Sequence, residues 1–323
     1  MRTEPPSNHQ PSKGRQRLLL VLKIALTAAA LAIVASFVNF KSALAGLRSA
    51  NLWWFTGSFA LLLVSTWQQA LRWKSILGRQ EIPTRKFAYY LFMGYALNLL
   101  VPSQVGSDLI RSTAFGRRYG NVGLNIGISV ALRVVGLAIL LVFAAAGAWF
   151  YRDALIRGIH WQVSWKAVSL LAIACILGLV AVGYIWRNRE RNITIRALLD
   201  SLSDRTVLRK VLVHSLLIQL QTSVSTWMLF HSVFPHPDFW QITLFNSIVL
   251  VALLLPLSIG GVGIREVLNL ALFTGIGGLS KEGIITVSVL GYTSLLMLAA
   301  TGAIWIGIRW LSAGSLAKAA NAD

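Results

Sequence analysis

The sequence carries unusually little charge. Only 13% of its 323 residues are charged, whereas 56% belong to the apolar set and the mean hydropathy is +0.66. A soluble domain carries about 25% charged residues to cover its surface, so roughly half of the expected charge is missing. This shortage excludes a water-soluble fold, and it predicts that lipid surrounds most of the protein surface.

Reactive residues and catalytic motifs are also scarce. The single cysteine, Cys175, lies within an apolar run, so neither a disulfide framework nor a cysteine-based zinc site can form. The five histidines are dispersed, and no P-loop, HExxH, GxSxG or strand-associated GxGxxG motif occurs. We therefore expect no metal, no cofactor and no enzymatic activity.

Acidic residues are few compared with basic ones. Lys and Arg number 30, Asp and Glu number 11, and the net charge is +19. In a soluble chain such an excess would indicate a nucleic-acid partner. Here the basic residues lie mainly between apolar runs, where cationic loops meet anionic lipid headgroups. The charge therefore indicates a membrane lipid as partner and argues against nucleic acid.

Long apolar runs dominate the rest of the chain. About 20 apolar residues cross a hydrocarbon core of roughly 30 Å, and six runs satisfy this length. They are residues 18–40, 52–71, 122–151, 167–186, 211–234 and 283–310. The first run has no small-residue cleavage site, so we expect a retained helix rather than a signal peptide.

Two further apolar regions, 87–118 and 241–279, are interrupted near their middles. Proline removes a helical donor and glycine permits a sharp reversal, so each region is predicted to form two short helices joined by a turn. The interrupting residues are Pro102 and Gly106 in the first region, and Pro256, Gly260, Gly261 and Gly263 in the second.

The distribution of Lys and Arg predicts how these segments are oriented. Four connecting segments, with four, five, two and seven Lys and Arg residues in chain order, are assigned to the cytoplasm by the positive-inside rule. They are residues 1–17, 72–86, 117–118 and 187–210. This assignment requires region 87–118 to enter and leave on the cytoplasmic side, and region 241–279 to do so on the outer side.

The resulting fold class is an all-α polytopic membrane protein. It has six full spanning helices and two Pro/Gly-broken re-entrant hairpins related by an inverted repeat, in the cytoplasmic (inner) membrane with both termini in the cytoplasm. The predicted organisation is a disordered cytoplasmic tail, a single transmembrane domain and a second cytoplasmic tail. Their limits are 1–17, 18–312 and 313–323.

The two broken regions resemble each other in sequence. Residues 99–106 (LLVPSQVG) align with residues 253–260 (LLLPLSIG), with proline and glycine in matching positions. Matching interruptions in two halves of inverted topology indicate a transport site near the membrane midplane. Two helices that share a proline kink by chance are the simpler alternative.

Only two acidic residues, Asp108 and Glu266, fall within the apolar regions, and each lies close to an arginine, Arg111 or Arg265. A charge at the membrane centre costs about 2.5–3.5 kcal/mol on insertion scales unless it is paired or hydrated. Arginine suits phosphate, so these residues predict an anion site with possible pairs between Asp108 and Arg265 and between Glu266 and Arg111. Structural ion pairs that hold the hairpins together are the alternative.

Arg133 is a third charged candidate, about a third of the way into the apolar run 122–151. With no acid within a helical turn, it must pair with another helix, face water or extend to the membrane interface. The polar residues that flank the two turns, Asn98, Gln104 and Ser258, complete the candidate binding residues.

These segments resemble a known family. Residues 94–102 (GYALNLLVP) with the following Gly106, Asp108 and Arg111, and residues 255–266 (LPLSIGGVGIRE), are similar to two signatures of the flippase-like membrane domain of lysylphosphatidylglycerol synthases. The resemblance implies a lipid path between two re-entrant hairpins. Only 13 residues follow Trp310, so we expect a stand-alone member without the aminoacyl-transferase domain.

The function predicted from these features is transport of an anionic or headgroup-modified lipid, either a phospholipid or a polyprenyl-linked carrier, between leaflets. One alternative is a non-transporting module that holds a lipid for, or docks, a separate lipid-modifying enzyme. Another is a proton-coupled carrier of a small anion. The oligomeric state is left open.

Overall fold

The computed structural model describes residues 48–79, 81–98, 104–150, 152–153, 199–253 and 263–320. Every regular element within these ranges is a helix, which confirms the all-α prediction. The predicted tail 1–17 and the predicted spans 18–40 and 167–186 lie outside the described residues.

Eight α-helices and one π-helical segment have described bounds. The long helices begin and end close to the predicted apolar runs. The helices are α1 (Leu52–Leu77), α2 (Thr84–Asn98), α3 (Gln104–Tyr119), α4 (Val122–Phe150), α5 (Arg205–His231), α6 (Phe239–Ala252), α7 (Ile264–Asn269) and α8 (Lys281–Ala320), and the π-helical segment, Leu270–Ile276, follows α7 directly. Because α8 continues to Ala320, it extends past the predicted domain limit at residue 312.

Local capping sets several helix ends. The side chain of Asn51 accepts a hydrogen bond from the backbone N–H of Trp53 at the start of α1, and Asp204 and Asp238 act in the same way on α5 and α6. Such caps satisfy backbone donors that have no partner within the helix. Gly78, with φ of 68°, ends α1 in the left-handed conformation that glycine adopts without strain.

The two interrupted regions are each divided into short helices, as predicted. In the first, α2 has 15 residues and α3 has 16, so each is about 22–24 Å long and shorter than the roughly 30 Å hydrocarbon core. In the second, α6 is followed by the six-residue α7 and the π-helical segment. The residues predicted to form the turns fall within 99–103 and 254–262, which lie outside the described residues.

Among the described residues, two helical stretches are long and apolar enough to cross a membrane, Val122–Gly147 in α4 and Lys281–Arg309 in α8. Helices α1 and α5 have sufficient length, 26 and 27 residues, but their sequences are more polar. Their polar residues face each other, since Ser58 Oγ donates to the carbonyl oxygen of Ser225 at 2.8 Å and Arg72 Nη1 donates to Ser215 Oγ at 3.0 Å. The full set of six spans therefore stays a prediction.

Each broken region belongs to an aromatic core of its own. Trp73, Phe87 and Phe115 pack together where α1, α2 and α3 meet. Phe245 and Phe273 pack together in the second core, where α6 meets the π-helical segment. Helix α8 contacts both regions and packs closely on α2.

Candidate functional site

A cavity of about 390 Å³ lies between the helices, with walls formed by α1 to α6 and α8. Its charged lining consists of Arg72, Arg111, Arg133 and Asp108. Three arginines against one aspartate leave two positive charges that no carboxylate in the lining balances. Such a concentration of guanidinium groups inside an apolar protein is costly without an anion, so the cavity has the character of an anion site.

Asp108 is shared between two arginines. Its Oδ1 lies 2.8 Å from Nη2 of Arg111, and its Oδ2 lies 2.7 Å from Nε and 2.5 Å from Nη2 of Arg133. The three side chains are only 18%, 17% and 31% exposed in that order. The carboxylate therefore orients both guanidinium groups at the cavity wall and partly balances their charge.

The register between α3 and α4 brings these residues together. Asp108 and Arg111 lie three residues apart on α3 and therefore share a helix face. Ser112 Oγ and Ser129 Oγ are 2.5 Å apart and join α3 to α4. Arg133 follows Ser129 by one helical turn, just as Asp108 precedes Ser112 by one turn. Of the three alternatives that the sequence left open for Arg133, the structure shows a partner on another helix, and that partner is Asp108.

Arg72 is a member of the site that the sequence analysis did not select. The positive-inside rule assigned it to the cytoplasmic loop 72–86, but α1 continues to Leu77 and places Arg72 in the cavity wall. A sequence signal for this position does exist. Ser65, Gln69 and Arg72 have the spacing of a polar stripe along one helix face, which predicts an interior polar contact rather than a loop.

Two guanidinium groups in the cavity retain unused donors. The buried Nε atoms of Arg72 and Arg111 have no hydrogen-bond partner within the described part of the chain. The amide oxygen of Asn98, which was predicted as a site residue, is also buried in the cavity wall without such a partner. Unsatisfied buried polar atoms are rare in proteins, and a cluster of them around one cavity is consistent with a ligand-binding role.

The other predicted site residues of the first region have different outcomes. Gly106 lies in the first turn of α3, beside the cavity-lining Ser107. Gln104 begins α3, but its side chain is outside the described residues. The predicted positions in the two turns, Pro102, Pro256, Ser258, Gly260 and Gly261, are also outside them.

Glu266 and Arg265 form a separate arrangement that does not line the cavity. Glu266 is 6% exposed, and its Oε2 accepts a hydrogen bond of 2.6 Å from the backbone N–H of Gly263, which has a φ of 85°. Arg265 places its guanidinium 5.6 Å from the ring centre of Tyr292 on α8. Glu266 therefore caps the start of its own helix.

The predicted pairs between the two regions, Asp108 with Arg265 and Glu266 with Arg111, are therefore wrong. Asp108 pairs with Arg111 and Arg133 instead of Arg265, and Glu266 bonds to the backbone of Gly263 instead of Arg111. The physical reason is that nearer donors are present. Asp108 has them on its own helix and on the adjacent α4, and Glu266 has one three residues earlier in the chain. Both carboxylates find donors within one helical turn or on the adjacent helix.

Comparison with known families agrees with the membrane character of these helices. The family model described as the lysylphosphatidylglycerol synthase TM region matches residues 20–314, which confirms the resemblance inferred from the two signatures. A comparison with curated proteins gives no match. The protein is therefore a membrane protein of the lysylphosphatidylglycerol synthase transmembrane-region family, a membrane domain associated with lipid handling.

Proposed function

We propose that the protein moves an anionic or headgroup-modified lipid between the leaflets of the cytoplasmic membrane. The observation that carries this proposal is the cavity lined by Arg72, Arg111 and Arg133, in a chain whose family is a membrane domain. Guanidinium groups bind phosphate oxygens through paired, charge-assisted hydrogen bonds, and every phospholipid headgroup offers such oxygens.

Asp108 has a specific part in this proposal. Its carboxylate uses donors of Arg111 and Arg133 that a phosphate group would also use. An entering headgroup competes with Asp108 for the two arginines, and a departing headgroup returns them to it. This exchange lowers the free-energy cost of releasing the lipid, since the arginines are never left without an anion.

The apolar part of the cavity wall suits acyl or polyprenyl chains rather than a small soluble anion. It contains seven aliphatic side chains from five helices. They are Leu91, Leu132, Leu137, Leu140, Ile218, Leu250 and Leu295. The chains of a lipid can pack against these aliphatic side chains while its headgroup binds the arginines.

The proposed topology has six spanning helices and two re-entrant hairpins of opposite orientation, with both termini in the cytoplasm. The short α2 and α3 support it, because neither is long enough to cross the membrane alone. Cysteines introduced at Arg118 and Ser280 of a Cys175→Ser protein should label from opposite faces of intact cells. Labelling from one face would contradict the inverted repeat.

The sequence contains no nucleotide-binding motif, so we propose that a gradient or mass action drives transport and that the domain is not catalytic. Purified protein in vesicles should move fluorescent phosphatidylglycerol between leaflets faster than fluorescent phosphatidylcholine. Arg111→Gln should slow this movement by about tenfold or more, because it removes charge-assisted hydrogen bonds to the phosphate.

The matched control is Arg117→Gln, which makes the same change at the exposed end of α3. Unchanged movement in Arg111→Gln would contradict the anion-site mechanism. No movement of any lipid by the wild-type protein, even with an imposed proton gradient, would favour the alternative of a module that holds lipid for a separate lipid-modifying enzyme.

A further inference from the structure

Arg72 differs from the other two arginines of the cavity in its charge balance. Arg111 and Arg133 share the carboxylate of Asp108, whereas Arg72 has no carboxylate partner in the described ranges and bonds instead to the neutral hydroxyl of Ser215. Its Nε–H group is buried and unused. Arg72 therefore places at the cavity wall a positive charge that no described carboxylate balances.

The charges of the cavity can be counted by group. Arg111, Arg133 and Asp108 together carry one net positive charge, which a single phosphodiester would balance. Arg72 adds a second positive charge to the lining of the same cavity as Arg111, and like charges that share a site of low polarity repel each other. An anion with one charge leaves this repulsion partly uncompensated, whereas an anion with two charges removes it.

From this count we infer that the cavity selects a headgroup with two negative charges, a phosphomonoester or a diphosphate, over a singly charged phosphodiester. Arg72 is the residue that makes the distinction. The inference rests on the proposed function, because it takes the cavity as the headgroup site. Three guanidinium groups line the cavity, and together they can donate several charge-assisted hydrogen bonds to the oxygens of a terminal phosphate.

The same chemistry would also recognise a soluble phosphate ester. The aliphatic side of the cavity favours a lipid as the source of the dianion, since Leu137 and Leu140 on α4 and Leu250 on α6 would otherwise line a water-filled site. Soluble sn-glycerol 3-phosphate has a similar dianionic group without chains, so it separates the two sources.

The test compares two lipids that differ by one methyl group. Phosphatidic acid carries a phosphomonoester, and phosphatidylmethanol with the same chains carries the corresponding phosphodiester with one charge. Binding of each to the purified full-length protein at pH 8 is measured by native mass spectrometry over a concentration series. We expect wild-type protein to bind phosphatidic acid about tenfold more tightly, as one additional charge-assisted interaction implies.

Arg72→Gln should reduce this ratio to about one, mainly through weaker binding of phosphatidic acid. Arg117→Gln, with the same loss of charge outside the cavity, should keep the wild-type ratio. Arg72→Lys retains the charge and should keep most of the preference, so it tests the charge count if Arg72→Gln does not fold. The ratio of phosphatidic acid binding to phosphatidylmethanol binding in the wild-type protein is itself a test, and it does not depend on whether any variant folds.

Equal binding of the two lipids by the wild-type protein, or an unchanged ratio in Arg72→Gln, would overturn the inference while the proposed transport of anionic lipid could still hold. If neither lipid binds and no lipid moves in vesicles, the proposed function itself fails. Competition by sn-glycerol 3-phosphate at the same concentrations as phosphatidic acid would overturn the lipid headgroup as the source of the dianion.

Discussion

The two broken regions share a pattern but use it differently. Each has a Pro/Gly interruption followed by an acid and an arginine. In the first region, Asp108 joins Arg111 and Arg133 at the wall of a cationic cavity. In the second, Glu266 caps the start of α7 and Arg265 lies over the ring of Tyr292, away from the cavity. The first broken region has the geometry of a binding site, and the second has the geometry of a structural element.

The difference follows from spacing. Asp108 and Arg111 are three residues apart, so they lie on one face of α3 and can pair. Arg265 and Glu266 are adjacent, so their side chains leave the helix about 100° apart and cannot share a face. Glu266 lies three residues after Gly263, which is the position from which a glutamate reaches back to the N-terminal backbone. Similar residue types at different spacing therefore give different interactions.

The largest effect is expected from Arg133→Gln, which removes one of the two cations on Asp108. We expect the rate of anionic lipid movement in vesicles to fall about 100-fold, because loss of one partner from a buried, hydrogen-bonded charge pair costs about 2–5 kcal/mol. Arg152→Gln, an exposed arginine just beyond α4, is the matched control. A rate within twofold of wild type would remove Arg133 from the site.

A second variant tests how the first broken region is held in place. A Cβ atom at Gly302 of α8 would overlap the backbone carbonyl of Phe92 on α2, so Gly302→Ala should destabilise the protein by about 1–3 kcal/mol. Gly307 on the same helix has open space, and Gly307→Ala should be neutral or stabilising by up to about 1 kcal/mol. Thermal unfolding in detergent measures both, and equal melting temperatures would argue against close packing of α2 on α8.

The acids of the two regions provide the direct comparison. Asp108→Asn removes the charge that orients two arginines, so lipid movement should fall about tenfold, corresponding to about 1.4 kcal/mol. Glu266→Gln keeps an oxygen that can accept the hydrogen bond of Gly263, so its rate should stay within about twofold of wild type. Vesicle rates and melting temperatures should be measured together. Equal losses of rate in both folded variants would show that the second region also takes part in transport.

The smallest effect is expected from Arg265→Gln. It removes the contact with the ring of Tyr292, which is worth about 0.5–1 kcal/mol, and leaves the cavity unchanged. The melting temperature should decrease slightly and lipid movement should be retained. A loss of transport comparable to that of Arg133→Gln would mean that the two regions are functionally equivalent.

Much of the fold could be predicted from the sequence. The divisions of regions 87–118 and 241–279 into short helices follow from proline and glycine, whose effects on the backbone are local. The polar residues within α1 and α5 are harder to interpret from the sequence. The lengths of α1 and α5 predict spanning helices. The hydrogen bond between Ser58 and Ser225 shows how polar groups on these helices are satisfied within the protein, where they do not contact lipid.

The sequence by itself determined the membrane class, the helical content, the two breaks and the unusual position of Asp108 and Glu266, because hydropathy, helix-breaking residues and rare buried charges can all be recognised along the chain. Only the tertiary structure decided which charges meet. The partner of Asp108 depends on the register of α3 against α4, and the place of Arg72 depends on how α1 packs against α5. Both are set by contacts between residues distant in sequence, to which hydropathy and helical periodicity are insensitive.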